Sequence, residues 1–245
     1  MVPMIAINGY GRMGKLVAEE IGERVVVIDP NVAGRPDGNV YVHNVQLLTK
    51  TPEVIIDFSC SAALEGVLAY AVAHRVPLVV GTTGHTPEQR ARIAEAAEYI
   101  PVFFSANTAY GMVVLLSACV RVAKALPKAR VSVHEIHRAG KADAPSGTAV
   151  MLAEALCRAL GRAGWSMDEM GDDYVRVTYE RTGDVVGVHE VAFDTGCERI
   201  VLKHEAKDRR VFAKGALLAA RFVLRQSNGL YGVEALGEAY AIRQD

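Results

Sequence analysis

The chain has 245 residues, of which 51% are hydrophobic and 22% charged, and its formal net charge is −1. This composition is typical of a folded globular protein and excludes an intrinsically disordered chain. Because positive and negative charges nearly balance, we expect neither nucleic acid nor an anionic membrane surface as a partner. The length allows one large domain or two modest ones.

The cysteine spacing and the length of the apolar runs indicate the cellular location of the protein. The chain has four widely spaced cysteines without a CxxC pair: Cys60, Cys119, Cys157 and Cys197. This spacing fits neither a zinc site nor a disulfide-rich secreted scaffold, so we expect reduced thiols and no metal. Residues 2–7 lack the pattern of a signal peptide, and the longest apolar run, 112–120, is shorter than the roughly 20 residues of a spanning helix. We therefore expect a cytoplasmic protein without a membrane segment.

The first part of the chain alternates short apolar runs with amphipathic segments. The apolar runs, rich in Val and Ile, predict buried parallel strands at residues 4–8, 25–28, 54–58, 78–80 and 102–104. Helical patterns lie between them at residues 12–21, 62–73 and 87–97. The third helix carries a start signal, because Thr86 can cap it, Pro87 suits its first position and Gln89 completes a capping box. The alternation predicts a doubly wound α/β sheet.

The pattern changes near Asn107. Predicted elements after it are a helix at 111–126, a strand at 131–137, a helix at 146–160, and strands at 174–179, 185–193 and 200–205. The last three strands have turns between them, at 181–184 and 194–196, but no helices, which indicates an antiparallel or mixed sheet. We therefore predict a second, α+β domain over about residues 108–210. A final helix at 211–224 returns to the first domain, which comprises residues 1–107 and about 211–245.

A glycine-rich loop directly follows the first strand: Gly9-Tyr10-Gly11-Arg12-Met13-Gly14. In such a loop the first glycine permits a tight turn, the second lets a pyrophosphate approach the backbone, and the third allows close helix–strand packing. The helix that follows directs free N–H groups and the positive end of its dipole at the anion. Because strand, loop and helix occur in the right order, we predict that these six residues bind a dinucleotide.

Asp29 ends the second predicted strand, where an acidic side chain can accept hydrogen bonds from a ribose diol. Pro30 follows it, so the next residue offers no cation for a 2′-phosphate. We therefore expect NADH to be preferred over NADPH, although Arg12 or Arg35 can still reach a phosphate.

Small and hydroxyl-bearing residues follow two later strands, at the edge where open α/β sheets bind their ligands. They are Gly81, Thr82, Thr83 and Gly84 after one strand, and Ser105, Ala106, Asn107 and Thr108 after the next. We expect them to bind the nicotinamide half of the cofactor.

Residues 135–149 read Glu-Ile-His-Arg-Ala-Gly-Lys-Ala-Asp-Ala-Pro-Ser-Gly-Thr-Ala. They place His137, Arg138 and Lys141 where a predicted strand ends and a helix is about to begin. The first turn of that helix contains three residues whose N–H groups can hold a carboxylate: Ser146, Gly147 and Thr148. Arg138 can add a bidentate contact, and Lys141 a point charge or a proton. This cluster suits an anionic substrate with a protonatable nitrogen.

The same stretch resembles the signature of the dihydrodipicolinate reductases, Glu-x-His followed by Lys-x-Asp-Ala-Pro-Ser-Gly-Thr-Ala. The Asp-Ala-Pro-Ser-Gly-Thr string is highly specific to that family. Further similarity covers nearly the whole chain in the right order, at residues 11–14, 81–84, 105–107, 181–183, 187–190, 204, 208–209 and 212–216.

The resemblance implies a Rossmann-type N-terminal domain and a substrate domain whose open sheet builds a homotetramer. It also implies hydride transfer from NADH or NADPH to the dihydrodipicolinate-level intermediate, 4-hydroxy-tetrahydrodipicolinate, giving tetrahydrodipicolinate for lysine biosynthesis. By motif position, His137 and Lys141 take the family's acid/base and proton-donor roles, and Gly147 and Thr148 contact the carboxylate of a small dicarboxylate substrate.

One departure from the family concerns Arg138, because a second histidine usually stands there. Arg138 either replaces that histidine as a stronger carboxylate clamp or signals a shifted substrate. In addition, Ala139 and Gly140 stand where a more basic loop is common, which would weaken the positive field around the pocket.

Two other functions remain open. The first is another two-domain Rossmann NAD(P)-dependent oxidoreductase acting on a related imine or amino acid. An aldehyde-oxidising enzyme of that kind would need a cysteine nucleophile, and Cys119 and Cys157 fall within predicted helices. The second is a nicotinamide-sensing regulator, which usually carries a basic recognition helix, and the sequence shows no such helix.

Overall fold

A computed structural model describes residues 4–31, 38–168 and 171–241. In it the chain forms two compact units. Unit 1 contains the described residues up to Tyr110 and those from Arg210 onward, and unit 2 runs from Gly111 to Arg209.

Unit 1 is built on a seven-stranded parallel sheet. Its strands are β1 (Ile5–Asn8), β2 (Val26–Ile28), β3 (Val40–Val42), β4 (Val54–Asp57), β5 (Leu78–Val80), β6 (Pro101–Phe104) and β12 (Gly229–Tyr231), in the order β12-β6-β5-β4-β1-β2-β3. All of the pairings between them are parallel. The strand order reverses between β1 and β4, so the carboxyl ends of these two strands flank the crevice in which such sheets bind ligands. The predicted doubly wound sheet is confirmed.

Helices cover both faces of this sheet: α1 (Arg12–Ile21), α2 (Leu64–His74), α3 (Pro87–Ala96), α6 (Arg210–Val223) and α7 (Val233–Ala241). On one face, Ala6 and Ile55 pack with Leu64 of α2 and Ile93 of α3 in one apolar core. On the other face α6 packs against α1 and against β4, β5 and β6. The predicted capping box is also present, since Thr86 accepts from the Gln89 N–H and Gln89 accepts from the Thr86 N–H.

Unit 2 contains a five-stranded mixed sheet. Its elements are α4 (Tyr110–Ala125, which begins at the last residue of unit 1), β7 (Arg130–His137), α5 (Gly147–Leu160), β8 (Gly164–Ser166), β9 (Tyr174–Arg181), β10 (Gly187–Asp194) and β11 (Arg199–Ala206). The strand order is β11-β10-β7-β9-β8, with β10 antiparallel to both of its neighbours and β7, β9 and β8 mutually parallel. The predicted mixed sheet is therefore confirmed. The turn after Arg181 does not close a hairpin, because β7 lies between β9 and β10.

The two faces of this sheet differ in burial. One face packs against α5 through Val133, Val177 and Val191, which are fully buried. We call the opposite side the outer face, and it contains His134, Thr178, Glu190, Val201 and Lys203, of which Val201 is 49% exposed. Among the described helices of both units, none has the length and apolarity needed to cross a bilayer.

Candidate active site

The glycine-rich loop connects β1 to α1 in unit 1. Gly9 has φ of 89°, a conformation that side-chain-bearing residues rarely adopt, and a Cβ there would lie 2.5 Å from the Ser59 Cα. A Cβ at Gly14 would overlap the Gly9 carbonyl oxygen. Both glycines are therefore needed to bring the start of α1 this close to the sheet.

The start of α1 has the properties of an anion site. Gly11 is its N-cap, and a Cβ at Gly11 would meet no atom within 4 Å, so the backbone is open to an incoming group. Within the described structure no side chain caps this helix start, and its first turn begins with the exposed cation Arg12. Free N–H groups at the positive end of a helix dipole match a phosphate. The fit of this loop to a pyrophosphate is therefore good.

Asp29 lies beside the same loop. One of its carboxylate oxygens accepts from the Tyr10 N–H at 2.7 Å and the other from the Asn31 N–H at 2.8 Å. An ionised carboxylate has about four lone-pair sites, so Asp29 retains the capacity to accept two ribose hydroxyls. Arg35, the other cation considered for a 2′-phosphate, lies outside the described residues.

A buried carboxylate that was not singled out in the sequence joins three strand ends of unit 1. Asp57 is fully buried at the end of β4, and one of its oxygens accepts from Asn8 Nδ2 at 2.7 Å and from Ser59 Oγ at 2.5 Å. The other accepts from Thr82 Oγ1 at 2.7 Å. This network holds the turn after β5 against the glycine loop, so the Thr82 hydroxyl has a structural role and its backbone is the part that can meet a coenzyme. The sequence signal was an acidic residue ending the otherwise apolar strand β4.

The residues after β6 mainly bond to their own turn. Ser105 Oγ donates to the Asn107 carbonyl at 2.6 Å, and Asn107 Oδ1 accepts from the Ala109 N–H at 2.9 Å. Thr108 Oγ1 donates to the Phe212 carbonyl at 2.7 Å, which ties this turn to α6. The side chains of Ser105, Asn107 and Thr108 are buried and fix the backbone of the turn. A cofactor would therefore contact this turn through its backbone groups.

In unit 2, the face of β7 that packs on α5 changes from apolar to polar at its carboxyl end. Glu135 and His137 follow Val131 and Val133 on this face, because side chains two residues apart point the same way. Glu135 is fully buried, and its Oε1 accepts from the Ser146 N–H at 2.8 Å and from the Arg181 guanidinium at 2.9 Å. The carboxylate thus connects the end of β7 to the start of α5.

Two histidines share the second oxygen of Glu135. Its Oε2 lies 3.2 Å from His137 Nδ1 and 3.6 Å from His189 Nε2, and the two rings meet edge to face at 5.1 Å. His189 is opposite Glu135 in the register of β10 with β7. Gly187 lies two residues before His189 on β10 and leaves room for the His137 ring, since a Cβ at Gly187 would lie 3.0 Å from His137 Nε2.

The charges of this cluster follow from its contacts. Burial alone would raise the pKa of Glu135, but its polar contacts with His137, His189, Ser146 and Arg181 outweigh burial and hold that pKa far below its usual range. Burial lowers the pKa of His189, which is only 2% exposed, so this ring is neutral at pH 7. The cluster therefore contains one anion, one permanent cation and one neutral imidazole around His137.

The loop between β7 and α5 presents an ammonium and its own carboxylate. Lys141 Nζ lies 2.6 Å from Asp143 Oδ1, and Arg181 donates to the Asp143 carbonyl at 2.6 Å. Burial acts to raise the pKa of Asp143, but Lys141 and backbone N–H groups, including that of Gly147, hold it below the usual value. Asp143 thus binds two groups that the sequence analysis assigned to a substrate carboxylate, the Lys141 ammonium and the Gly147 N–H.

The remaining predicted residues lie around this loop. Ser146 is the N-cap of α5 and its Oγ accepts from the Ala149 N–H at 3.2 Å, while Thr148 is buried in the first turn. Arg138 lies over its own loop, with Nη1 2.8 Å from where a Gly140 Cβ would be. Sequence reasoning missed the contribution of Glu135, Arg181 and His189 to the cluster.

A divalent cation is the alternative occupant of this cluster, because the ligand atoms of Glu135, His137 and His189 lie within 4.8 Å of one another. The same carboxylate already pairs with the guanidinium of Arg181, whose charge opposes a second cation. The arrangement therefore favours direct contact between the carboxylate and the imidazoles over metal binding.

Comparison with known proteins identifies the family. The N-terminal part of the dihydrodipicolinate reductase family matches residues 4–108, and its C-terminal part matches residues 111–236. The 4-hydroxy-tetrahydrodipicolinate reductase of Alkaliphilus metalliredigens (strain QYMF) is 47% identical over 193 residues, which cover 75% of this chain and 80% of that protein. The enzyme of the same name from Exiguobacterium sp. (strain ATCC BAA-1283 / AT1b) is 34% identical over 244 residues, or 96% of this chain and 95% of that protein.

The fold agrees with a solved structure, dipicolinate-bound dihydrodipicolinate reductase from Paenisporosarcina sp. TG-14. That structure is 23% identical, has a TM-score of 0.76, and matches over 96% of this chain and 99% of that one. The chain therefore belongs to the dihydrodipicolinate reductase family and is an NAD(P)H-dependent oxidoreductase of diaminopimelate and lysine biosynthesis.

Proposed function

We propose that the chain reduces 4-hydroxy-tetrahydrodipicolinate, with loss of water, to tetrahydrodipicolinate. The observation that carries this proposal is the cluster at the start of α5, where His137 lies 3.2 Å from Glu135, Lys141 pairs with Asp143, and Glu135 accepts from the Ser146 N–H. The names of the relatives given above support the substrate, and a bound dipicolinate in the Paenisporosarcina enzyme supports a ring that carries two carboxylates.

One substrate carboxylate takes the place of the Asp143 carboxylate. Lys141 and the Gly147 N–H already hold an anion in the structure, so this position selects for carboxylate chemistry. The N–H groups of Gly147 and Thr148 in the first turn of α5 remain for this carboxylate, because the Ser146 N–H donates to Glu135. Ser146 instead fixes the helix start by capping it. Arg138 reaches the second carboxylate from the loop, as a guanidinium that can bind it with two parallel hydrogen bonds.

The proton comes from the protein. A bound nicotinamide coenzyme supplies the hydride, which leaves the conjugated ring with excess electron density. Lys141 Nζ donates a proton to a ring atom and thereby neutralises that charge. His137 is the acid/base group that protonates the departing hydroxyl as water and returns a proton to Lys141. The net change is one hydride and one proton added to the substrate and one water lost.

The coenzyme binds in unit 1, with NADH preferred. Residues proposed to hold it are Gly9, Tyr10, Gly11, Arg12, Met13, Gly14 and Asp29, together with Gly81, Thr82, Thr83, Ser105, Ala106, Asn107 and Thr108. The open backbone at Gly11 supports the pyrophosphate position, and the free lone pairs of Asp29 support the ribose position.

A coupled assay tests the function. Pyruvate and aspartate semialdehyde are supplied with the synthase that makes the substrate, and loss of NADH or NADPH is followed with and without that synthase. We expect oxidation of the coenzyme only when the synthase is present, and inhibition by pyridine-2,6-dicarboxylate. Oxidation with an amino-acid-derived imine but not with the synthase product would instead support the alternative, a related imine or amino-acid oxidoreductase.

We also propose a cytoplasmic homotetramer formed through the outer face of the unit 2 sheet. On this face Val201 is exposed, and His134 and Thr178 are half-buried. Such a mixture of apolar and polar side chains is suited to burial against identical copies of the chain. Light scattering is expected to give about four times the chain mass of 26.4 kDa. Replacing Val201 with glutamate is expected to yield smaller species, and a monomeric wild type would contradict the proposal.

A further inference from the structure

His137 is backed by a carboxylate that has no contact with solvent. Glu135 Oε2 lies 3.2 Å from His137 Nδ1, and His137 Nε2 lies beside Gly187, 3.0 Å from where a Cβ there would be. The other oxygen of Glu135 is held by the Ser146 N–H and by Arg181. Because the contacts with Ser146 and Arg181 fix Oε1, they also orient Oε2 toward the His137 imidazole.

We infer that Glu135, oriented by His189, is the positioning residue that keeps the proton of His137 on Nδ1 and presents Nε2 as the exchanging atom. The inference rests on the proposed acid/base role of His137. In this arrangement Nε2 takes up and releases the proton, while the Nδ1–H stays on the Glu135 side throughout. The buried carboxylate also stabilises the imidazolium that forms when Nε2 is protonated.

His189 is suited to orient the carboxylate without adding charge. Its Nε2 lies 3.6 Å from Glu135 Oε2 and 3.4 Å from Ser146 Oγ, so an Nε2–H points toward both acceptors. Since burial keeps this ring neutral, it does not compete with His137 for the negative charge of Glu135. Its edge-to-face contact also restricts rotation of the His137 ring.

Glu135 and His137 are close, but their atoms are not aligned as donor and acceptor. The buried atoms Glu135 Oε2 and His137 Nδ1 do not meet the angular criterion of a hydrogen bond, although they lie 3.2 Å apart. Catalytic hydrogen bonds often tighten only when substrate binds, and a small rotation of the imidazole would align this one. The charged and titratable groups around His137 in unit 2 are Glu135 on its own strand, Arg181 on β9 and His189 on β10, with Lys141 and Asp143 in the adjoining loop.

Glu135→Gln tests the inference, because the amide keeps the shape and one acceptor but loses the charge. We expect kcat to fall by about tenfold or more, while the Kd for NADH is unchanged. The pH–rate profile of Glu135→Gln is expected to differ from that of the wild type, because the amide removes the charge beside the imidazole. His189→Gln, which can still donate to the carboxylate, should retain more activity than His189→Leu.

Glu154→Gln is the matched control, since Glu154 is exposed on α5 in the same unit, and it should keep the wild-type profile. A wild-type profile in Glu135→Gln together with impaired His137→Gln would overturn this inference and leave the proposed function intact. Wild-type activity in His137→Gln would instead overturn the acid/base role on which it rests. A stoichiometric divalent metal that is lost in Glu135→Gln would overturn the hydrogen-bonding interpretation.

If Glu135→Gln does not fold, spectra of wild-type enzyme labelled with 15N-histidine decide the question. The His137 signals are identified by their loss in His137→Gln. A neutral ring with its proton on Nδ1 supports the inference, and a proton on Nε2 overturns it.

Discussion

Lys141→Met and His137→Gln are each expected to lower kcat by about 10²- to 10⁴-fold, the usual contribution of a positioned acid or base. Lys141 lies in the loop that leads into α5, and methionine keeps its length and apolar stem while removing the proton and the charge. Its contact with Asp143 at 2.6 Å shows that the ammonium is already directed at an anion. The measurement is steady-state kcat in the coupled assay, with coenzyme and substrate saturating.

The two variants should differ in how they bind substrate. Lys141→Met also loses the charge that holds a carboxylate, so we expect weaker binding of pyridine-2,6-dicarboxylate as well as a lower kcat. His137→Gln should bind that inhibitor nearly as well as the wild type does. Lys128→Met, which removes an exposed lysine after α4, is the control and should leave both quantities unchanged. Activity near the wild-type level in either active-site variant would contradict the assigned role.

Much of the architecture follows from local sequence patterns. The β1–loop–α1 segment and α3 were predictable because their signals lie within a few residues, as the capping box of Thr86 and Gln89 illustrates. Three short strands, β3, β8 and β12, were missed because they lie at sheet edges and contain no buried residue, unlike the equally short strands β2 and β5. Their place in the sheets depends on neighbouring strands that are distant in sequence.

The site was predicted only where its residues are close in sequence. Residues 137–148 form one continuous stretch, so their proximity could be foreseen. Glu135 and His189 meet because β10 pairs antiparallel with β7, and Arg181 joins them because β9 lies parallel on the other side. Those pairings bring together residues more than forty positions apart. The patterns in a single sequence do not reveal which strands pair or in which register. Asp57 was missed for the same reason, since its partners Asn8 and Thr82 come from two other strands.

Asp29→Asn is expected to lower the ratio of kcat/KM for NADH over NADPH by about tenfold or more. The carboxylate offers charge-assisted hydrogen bonds to both ribose hydroxyls and repels a 2′-phosphate. Asparagine removes that charge, so it weakens the first effect and abolishes the second. Because its side-chain oxygen can still accept from the Tyr10 N–H, the contact that Asp29 makes at 2.7 Å, we expect the glycine loop to keep its conformation.

The ratio separates coenzyme choice from general damage to the loop, since a displaced loop would weaken both coenzymes through the pyrophosphate that they share. Kinetics with each coenzyme at saturating substrate give the ratio, and thermal unfolding checks that the variant is folded. Glu19→Gln removes an exposed carboxylate on α1 and is the control, with an expected ratio equal to that of the wild type. An unchanged ratio in Asp29→Asn would show that a residue other than Asp29 determines the preference at the 2′ position.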